Sequence, residues 1–137
     1  MISFVYDCFG VRIENLDLPQ RIKHGFSENG ITELNPPQED AVSSGLLDQK
    51  DMIVAAPTAS GKTLIAEMAM SKEVIENDKK AVYIVPLKAL ASEKFQDFQD
   101  RFDEENVRIS VGDLDEEGRG LDNADIIVVT SEKLDSL

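Results

Sequence analysis

Residues 56–63 read Ala-Pro-Thr-Ala-Ser-Gly-Lys-Thr and combine the residue types that bind phosphate. A short apolar run, residues 52–55, precedes them, and apolar residues recur at helical spacing after them. A strand, a loop of small residues ending in Gly-Lys-Thr, and a helix together predict a phosphate-binding loop. In such a loop, backbone N–H groups near the helix start carry partial positive charge and surround a polyphosphate.

Each residue of this loop has an expected role. Gly61 lets the backbone bend and approach the ligand closely. Lys62 is expected to reach the β- and γ-phosphates, and the Thr63 hydroxyl to take a Mg²⁺ ligand position, so both are candidate catalytic residues. The other predicted nucleotide-binding residues of the loop are Ala56, Pro57, Thr58, Ala59 and Ser60. The general pattern has Gly at the position of Ala56, so an ordinary turn that reads Ser-Gly-Lys-Thr is the alternative.

Length and composition limit the possible classes of protein. The chain has 137 residues, which fits one domain or part of one, and a net charge of −13 argues against a uniformly basic nucleic-acid face. Ten acidic residues fall within residues 100–125, and a solvated surface explains them better than an acidic docking site. A single cysteine, Cys8, excludes an internal disulfide and suits a cytoplasmic protein. No membrane-spanning run, signal peptide or Cys/His zinc cluster is present in the sequence.

Apolar periodicity predicts strands that alternate with helices. The predicted strands are residues 51–56, 81–85, 107–111 and 126–129. Helices are predicted at residues 19–29, 37–47 and 62–77, through the stripe of Ala91, Phe95, Phe98 and Phe102, and from residue 132 onward with Ser131 as the N-cap. Residues 112–122 are predicted to form an acidic loop. This order predicts an α/β fold with three layers, a mostly parallel sheet and helices on both faces.

The predicted sheet also indicates where ligands bind. Ligands of parallel sheets bind beyond the carboxyl ends of the strands. The phosphate loop, residues 86–90 and residues 130–131 each follow a predicted strand directly, so we expect them along one edge of the sheet. The phenylalanine stripe is expected to be core packing rather than a stacking surface for bases.

Five segments of the sequence, in their order along the chain, resemble motifs of the first motor domain of superfamily 2 DExD/H-box helicases. Residues 56–63 match the helicase form of the phosphate loop, in which Ala56 is usual. The other four are residues 34–38 (the glutamine motif), 86–91 (motif Ia), 111–113 (the Gly-Asp segment) and 129–133 (motif Ib). The resemblance covers about residues 13–137 and leaves residues 1–12 unassigned. Many relatives carry Gly at the position of Ala59. This difference and the sequences of residues 57–63 and 86–91 resemble the Ski-type branch, and most closely its archaeal DNA-repair helicases.

The resemblance implies a partial RecA-like domain that binds ATP and Mg²⁺ and tracks single-stranded or forked DNA, with RNA as an alternative. Gln38 would read adenine, since its amide matches N6 and N7; a polar residue at a helix start is the alternative. The implied nucleic-acid contacts are Pro86, Lys88, Ala89, Leu90, Gly112, Asp113, Thr130 and Ser131. For Thr130 and Ser131, simple helix capping is an equally good interpretation of the residues alone.

The Asp-Glu pair of motif II has no match at the end of a predicted strand. Asp103-Glu104 ends a helix, and Asp115-Glu116 lies in the acidic loop. We therefore expect an N-terminal piece of the domain that has no ATPase or unwinding activity alone. The resemblance implies a parent that couples ATP hydrolysis to 3′-to-5′ movement. Two other classes stay open: a small phosphate-loop kinase, disfavoured by few and scattered arginines, and a non-enzymatic nucleotide-binding or regulatory module.

Overall fold

The structure is a computed structural model that describes residues 10–112 and 120–135. The chain divides into two compact units, Met1–Lys72 and Glu73–Leu137. The first unit holds the helices α1 (Gln20–Glu28), α2 (Pro36–Ser43) and α3 (Lys62–Ser71), with short 3₁₀ turns at Ile13–Asn15 and Leu46–Asp48. The second holds the strands β1 (Ala81–Val85), β2 (Val107–Ser110) and β3 (Ile126–Thr130), with the helices α4 (Lys88–Arg101) and α5 (Ser131–Leu134).

Helix α1 confirms the helix predicted at residues 19–29. Ile22 and Phe26, one turn apart, are both buried in the core of the first unit. The helix starts after Pro19 and ends before Gly30, whose φ of +77° lies in the left-handed region. Local chemistry alone therefore sets the bounds of this element.

Helix α2 begins with a reciprocal capping box. The Asn35 side chain accepts from the Gln38 N–H at 3.1 Å, and the Gln38 side chain accepts from the Asn35 N–H at 2.9 Å. Pro36 and Pro37 occupy the first helical positions, where a missing N–H costs nothing. The helix predicted at residues 37–47 ends earlier than expected, because Gly45 has a φ of +105° and Leu46–Asp48 forms a separate 3₁₀ turn.

Residues 51–56 do not form the predicted strand. They have no sheet partner within the described residues, and Ile53 is 98% exposed. A strand takes its backbone hydrogen bonds from another strand, and no strand is described in the first unit. The apolar pattern of residues 52–55 is therefore insufficient by itself to make a strand here.

Helix α3 follows the phosphate loop and confirms the helix predicted there. It buries Leu64, Ile65 and Met68, and the chain continues into a π-helical turn at Lys72–Glu76. Near its end, the buried Lys72 ammonium lies 2.8 Å from Oδ2 of Asp17. This ion pair ties the end of α3 to the segment before α1.

The second unit is an α/β unit built on a parallel sheet of order β1-β3-β2. This arrangement confirms the predicted fold class and three of the predicted strands. In the central strand β3, Ile126, Val128 and Val129 are fully buried, as a parallel strand with neighbours on both sides requires. On the edge strand β1, Val82 and Ile84 each remain 51% exposed.

Aromatic packing joins α4 to the sheet. The ring of Phe98 packs edge-to-face on Tyr83 of β1, with 4.9 Å between the ring centroids, and on Phe102, with 6.3 Å between the centroids. Phe98 and Phe102 are fully buried, whereas Phe95 is half-buried. The prediction that this stripe packs in the core is confirmed.

None of the helices in residues 10–112 and 120–135 combines the length and the apolar character that a bilayer crossing requires.

Helix α5 begins one residue earlier than predicted, so Thr130 and not Ser131 is its N-cap.

We predict that Asp17 contributes to stability at neutral pH and loses this contribution in acid. Its hydrogen bond and its attraction to the Lys72 ammonium lower the pKa of the Asp17 carboxyl below the ordinary value of 3.8. A lowered pKa in the folded state stabilises the fold above that ordinary value, and the stabilisation is lost as pH falls through the folded pKa. Asp17→Asn should lower the free energy of unfolding at neutral pH and flatten its decline in acid.

Urea titrations from about pH 7 down to pH 2 measure this. Asp51→Asn is the matched control, because Asp51 is an exposed carboxylate of the same unit. Equal acid dependence in wild type and Asp17→Asn would contradict the prediction.

Candidate functional site

The phosphate loop turns tightly on a left-handed backbone. Ala59 has a φ of +63° and Gly61 a φ of +76°, and the Ser60 N–H donates to the Pro57 carbonyl at 3.2 Å. Helix α3 starts at Lys62, so Gly61 is its N-cap. The loop therefore ends at the positive end of a ten-residue helix.

Backbone donors are free where this helix begins. The N–H groups of Gly61, Lys62 and Thr63 donate to no acceptor within residues 10–112 and 120–135, and the first bond of the turn runs from the Leu64 N–H to the Gly61 carbonyl at 3.2 Å. Such unsatisfied donors bind water or an anion. The predicted loop residues thus present a local set of donors to an anion.

Lys62 lies across the loop. Its Nζ donates to the Ala56 carbonyl at 3.0 Å, and its side chain is exposed. The described residues give Lys62 no carboxylate partner. Its ammonium can therefore exchange one neutral acceptor for a phosphate, while Pro57, Thr58 and Ala59 remain exposed around it.

Two side chains from the start of α2 hold this loop. Asn35 Nδ2 donates to the Ser60 carbonyl at 2.8 Å, and Gln38 Nε2 donates to the Gly61 carbonyl at 3.1 Å. Gln38 is 5% exposed. Gln38, which is expected to read adenine, thus contacts the backbone of the phosphate loop. Asn35 is missing from the sequence-based site, although the spacing Asn-Pro-Pro-Gln of a capping box singles it out.

A cavity of about 460 Å³ opens beside these two amides. Its lining includes Asn35, Gln38, Gly61 and Leu64, together with residues 30–33. The cavity adjoins both the glutamine amide and the phosphate loop, as a site for a nucleotide base and its phosphates requires.

A second group of predicted site residues meets at the carboxyl ends of the strands in the second unit. The parallel register pairs Val85 with Thr130 and Ser110 with Val129. Pro86, Lys88 and Ala89 follow β1 and are exposed, Leu90 is half-buried, and Ser131 follows β3 and is exposed. The expectation that residues 86–90 and 130–131 lie at one edge of the sheet is confirmed. The phosphate loop was expected to follow a strand of the same sheet, but residues 51–56 before it form no strand.

Lys88 lies over Gly112. A Cβ placed on Gly112 would collide with Lys88 Nζ and approach Lys88 Cε to 2.9 Å. Gly112 also has a φ of +66°, which favours glycine. The structure thus brings two residues from separate motifs into contact, while Asp113 lies outside the described residues.

The hydroxyls at this edge differ in their surroundings. Thr130 is buried, and Ser110 Oγ is buried without a hydrogen-bond partner in the part of the chain that the structure describes. Ser110 was not predicted as a site residue, and no spacing in the sequence marks it.

Within the described ranges, no three metal-ligating side chains of the His, Cys, Asp and Glu types come together. Mg²⁺ in nucleotide sites uses one or two protein ligands plus substrate phosphates and water. Thr63, half-buried at the start of α3, fits that limited role.

We predict that Ala59→Gly stabilises the chain. The left-handed conformation costs an L-residue about 1–2 kcal/mol, and glycine avoids this cost. Glycine also has more conformational freedom in the unfolded state, which offsets part of the gain in stability. The free energy of unfolding should therefore rise by about 0.5–1 kcal/mol in urea titrations. Ala55→Gly is the control, since Ala55 lacks a positive φ. Equal losses of stability in both variants would contradict the prediction.

Comparison with known proteins finds similar helicases. The ATP-dependent DNA helicase Hel308 of Methanocella arvoryzae is 51% identical over 133 residues, covering 93% of this chain and 18% of the relative. Hel308 of Pyrococcus abyssi is 46% identical over 129 residues, with the same coverages. The chain thus spans less than a fifth of the length of these relatives.

The solved structures that resemble this chain include a helicase bound to nucleic acid. The DUF1998 helicase MrfA bound to DNA superposes with a TM-score of 0.74 at 26% identity, covering 85% of this chain and 18% of MrfA. The family model described as DEAD/DEAH box helicase matches residues 35–137. Because this match takes in well over half of its residues, the chain belongs to the DEAD/DEAH box helicase family.

Proposed function

We propose that residues 13–137 form the ATP-binding, N-terminal part of the first motor domain of an ATP-dependent DNA helicase. The observation that carries the proposal is the phosphate loop: free N–H groups at the start of α3, with the exposed Lys62 beside them. The relatives named ATP-dependent DNA helicases support it at up to 51% identity.

The residues present fit a Mg²⁺–nucleotide. Lys62 and the N–H groups of Gly61 and Thr63 would hold the β- and γ-phosphates, and the Thr63 hydroxyl would ligate Mg²⁺. The metal would neutralise charge that develops on the phosphates. These roles make Lys62 and Thr63 the catalytic residues that this chain would contribute.

Gln38 retains the capacity to read adenine. Its Nε2 has two protons and gives one to the Gly61 carbonyl, while its Oε1 has two lone pairs and takes one bond from the Asn35 N–H. One N–H of Nε2 remains to donate to adenine N7, and one lone pair of Oε1 remains to accept from the adenine N6 amino group. The adjacent cavity of about 460 Å³ offers room for the base.

Single-stranded nucleic acid would contact the strand ends of the second unit. Lys88 would contact phosphates there, near Pro86, Ala89 and Leu90. Gly112, Thr130 and Ser131 lie at the same edge and would contact the strand as well. Asp113 lies outside the described residues and is proposed as a further nucleic-acid contact. With a net charge of −13, affinity would depend on such local contacts. The similarity to MrfA, a helicase whose solved structure holds bound DNA, favours DNA over RNA.

This chain covers 18% of the length of the first relative. ATP hydrolysis, binding of forked substrates and 3′-to-5′ unwinding are therefore proposed for a protein of the relatives' full length. The chain by itself is proposed to bind nucleotide without turnover. A cytoplasmic location is proposed with this function.

We predict that Mg-ADP raises the thermal midpoint of unfolding and that Lys62→Ala abolishes the shift. A ligand of the native state at 100 times its Kd stabilises by about 2.7 kcal/mol. Differential scanning fluorimetry with Mg-ADP, Mg-GDP and tripolyphosphate measures this and tests adenine preference. Lys23→Ala is the matched control, since Lys23 also donates to backbone carbonyls in the same unit.

A shift with Mg-ADP that persists in Lys62→Ala would contradict the assignment of the loop. The absence of any shift in wild type would favour a scaffold without nucleotide binding.

We predict that Lys88→Ala weakens binding of single-stranded DNA at all sequences alike. Losing one phosphate contact should reduce the slope of log K against log salt by about 0.7. Gly112→Ala should weaken binding too, because its Cβ displaces Lys88. Fluorescence anisotropy with labelled oligothymidine and oligouridine measures both effects and separates DNA from RNA.

Lys94→Ala in the same helix is the control, because Lys94 is paired with Glu93 and Asp97. An unchanged salt slope in Lys88→Ala would exclude a phosphate contact at this residue.

A further inference from the structure

Two consecutive carbonyls of the phosphate loop are held from outside the loop. The Ser60 carbonyl accepts from Asn35 Nδ2 and the Gly61 carbonyl accepts from Gln38 Nε2, at 2.8 and 3.1 Å. The partners are 25 and 23 residues away in sequence, so these contacts are tertiary. The N–H groups that follow these carbonyls, those of Gly61 and Lys62, are two of the free donors at the start of α3.

The capping box decides which amide atoms face the loop. Asn35 Oδ1 accepts the Gln38 N–H and Gln38 Oε1 accepts the Asn35 N–H, and only an oxygen can accept. The Nδ2 and Nε2 groups are therefore turned toward the loop as donors. Pro36 and Pro37 between them fix φ and leave this turn little freedom.

Peptide planarity transmits this constraint. In a trans peptide the C=O and the following N–H point in opposite directions within one rigid plane. Holding the Ser60 carbonyl aims the Gly61 N–H away from Asn35, and holding the Gly61 carbonyl likewise aims the Lys62 N–H. A Cβ on Gly61 would collide with Gln38 Nε2 and lie 3.2 Å from Asn35 Nδ2, so only glycine leaves room for both bonds.

We propose that Asn35 is a positioning residue of the phosphate loop: through the Ser60 carbonyl it orients the Gly61 N–H for phosphate before any ligand arrives. The proposal rests on the proposed function, since the phosphate is that of a nucleotide. It gives a second residue of the glutamine motif, besides Gln38, a contact with the backbone of the loop.

Two variants separate positioning from capping. Asn35→Ser and Asn35→Asp both keep an oxygen that caps α2, so the helix is retained. Both lose the donor to Ser60, and the aspartate places a carboxylate against that carbonyl. Asn29→Ser is the matched control, because Asn29 Nδ2 also donates to a backbone carbonyl, that of Gly25, at 2.8 Å.

The first measurement is the Kd for tripolyphosphate and, separately, for adenosine. Asn35→Ser should raise the Kd for tripolyphosphate about fivefold, the ratio that one ordinary hydrogen bond represents. Asn35→Asp should raise it further, and in both variants the Kd for adenosine should change less than the Kd for tripolyphosphate. Wild-type affinity for tripolyphosphate in both variants would overturn the proposal.

The second measurement needs no ligand. The ¹⁵N order parameter of the Gly61 N–H should be near that of rigid backbone, about 0.85, in wild type and below about 0.6 in Asn35→Ser. If wild type binds no tripolyphosphate, the proposed function fails and this measurement alone decides the role of Asn35. Equal order parameters in wild type and Asn35→Ser would then overturn it.

Discussion

The proposed nucleotide site depends on the rigid planes of two peptide bonds, those that follow Ser60 and Gly61. In each plane the carbonyl accepts from a side-chain amide at the start of α2, and the N–H is one of the free donors at the start of α3. The capping box orients these amides, and the two prolines hold the turn that carries them. One local motif therefore begins a helix and also shapes a loop distant in sequence.

Left-handed backbone shapes both groups of predicted site residues. In the loop, Ala59 and Gly61 reverse the chain within a few residues, and only the glycine leaves room for the amides that pack against it. At the end of β2, Gly112 adopts the same conformation and leaves space for the Lys88 side chain. A glycine at such a position permits a close approach that any side chain would block.

Parallel pairing accounts for the position of the second group of predicted site residues. Because β1, β3 and β2 run in the same direction, their carboxyl ends share one edge, and the segments that follow β1 and β3 begin there. The buried apolar β3 and the packing of Phe98 on Tyr83 fix this arrangement. The position of the exposed polar groups at this edge thus depends on the buried core of the second unit.

The sequence by itself determined the helices α1, α3 and α4 and three strands of the sheet, because periodicity, capping residues and glycine stops are local signals. Tertiary structure decided what depends on distant partners. Residues 51–56 have an apolar strand pattern but no described strand with which to share hydrogen bonds. Likewise, the Gln38 amide bonds to Gly61, Asn35 to Ser60, and Lys88 covers Gly112, and each contact joins residues more than twenty positions apart. No local pattern specifies such contacts, since they arise only when the folded chain brings the two segments together.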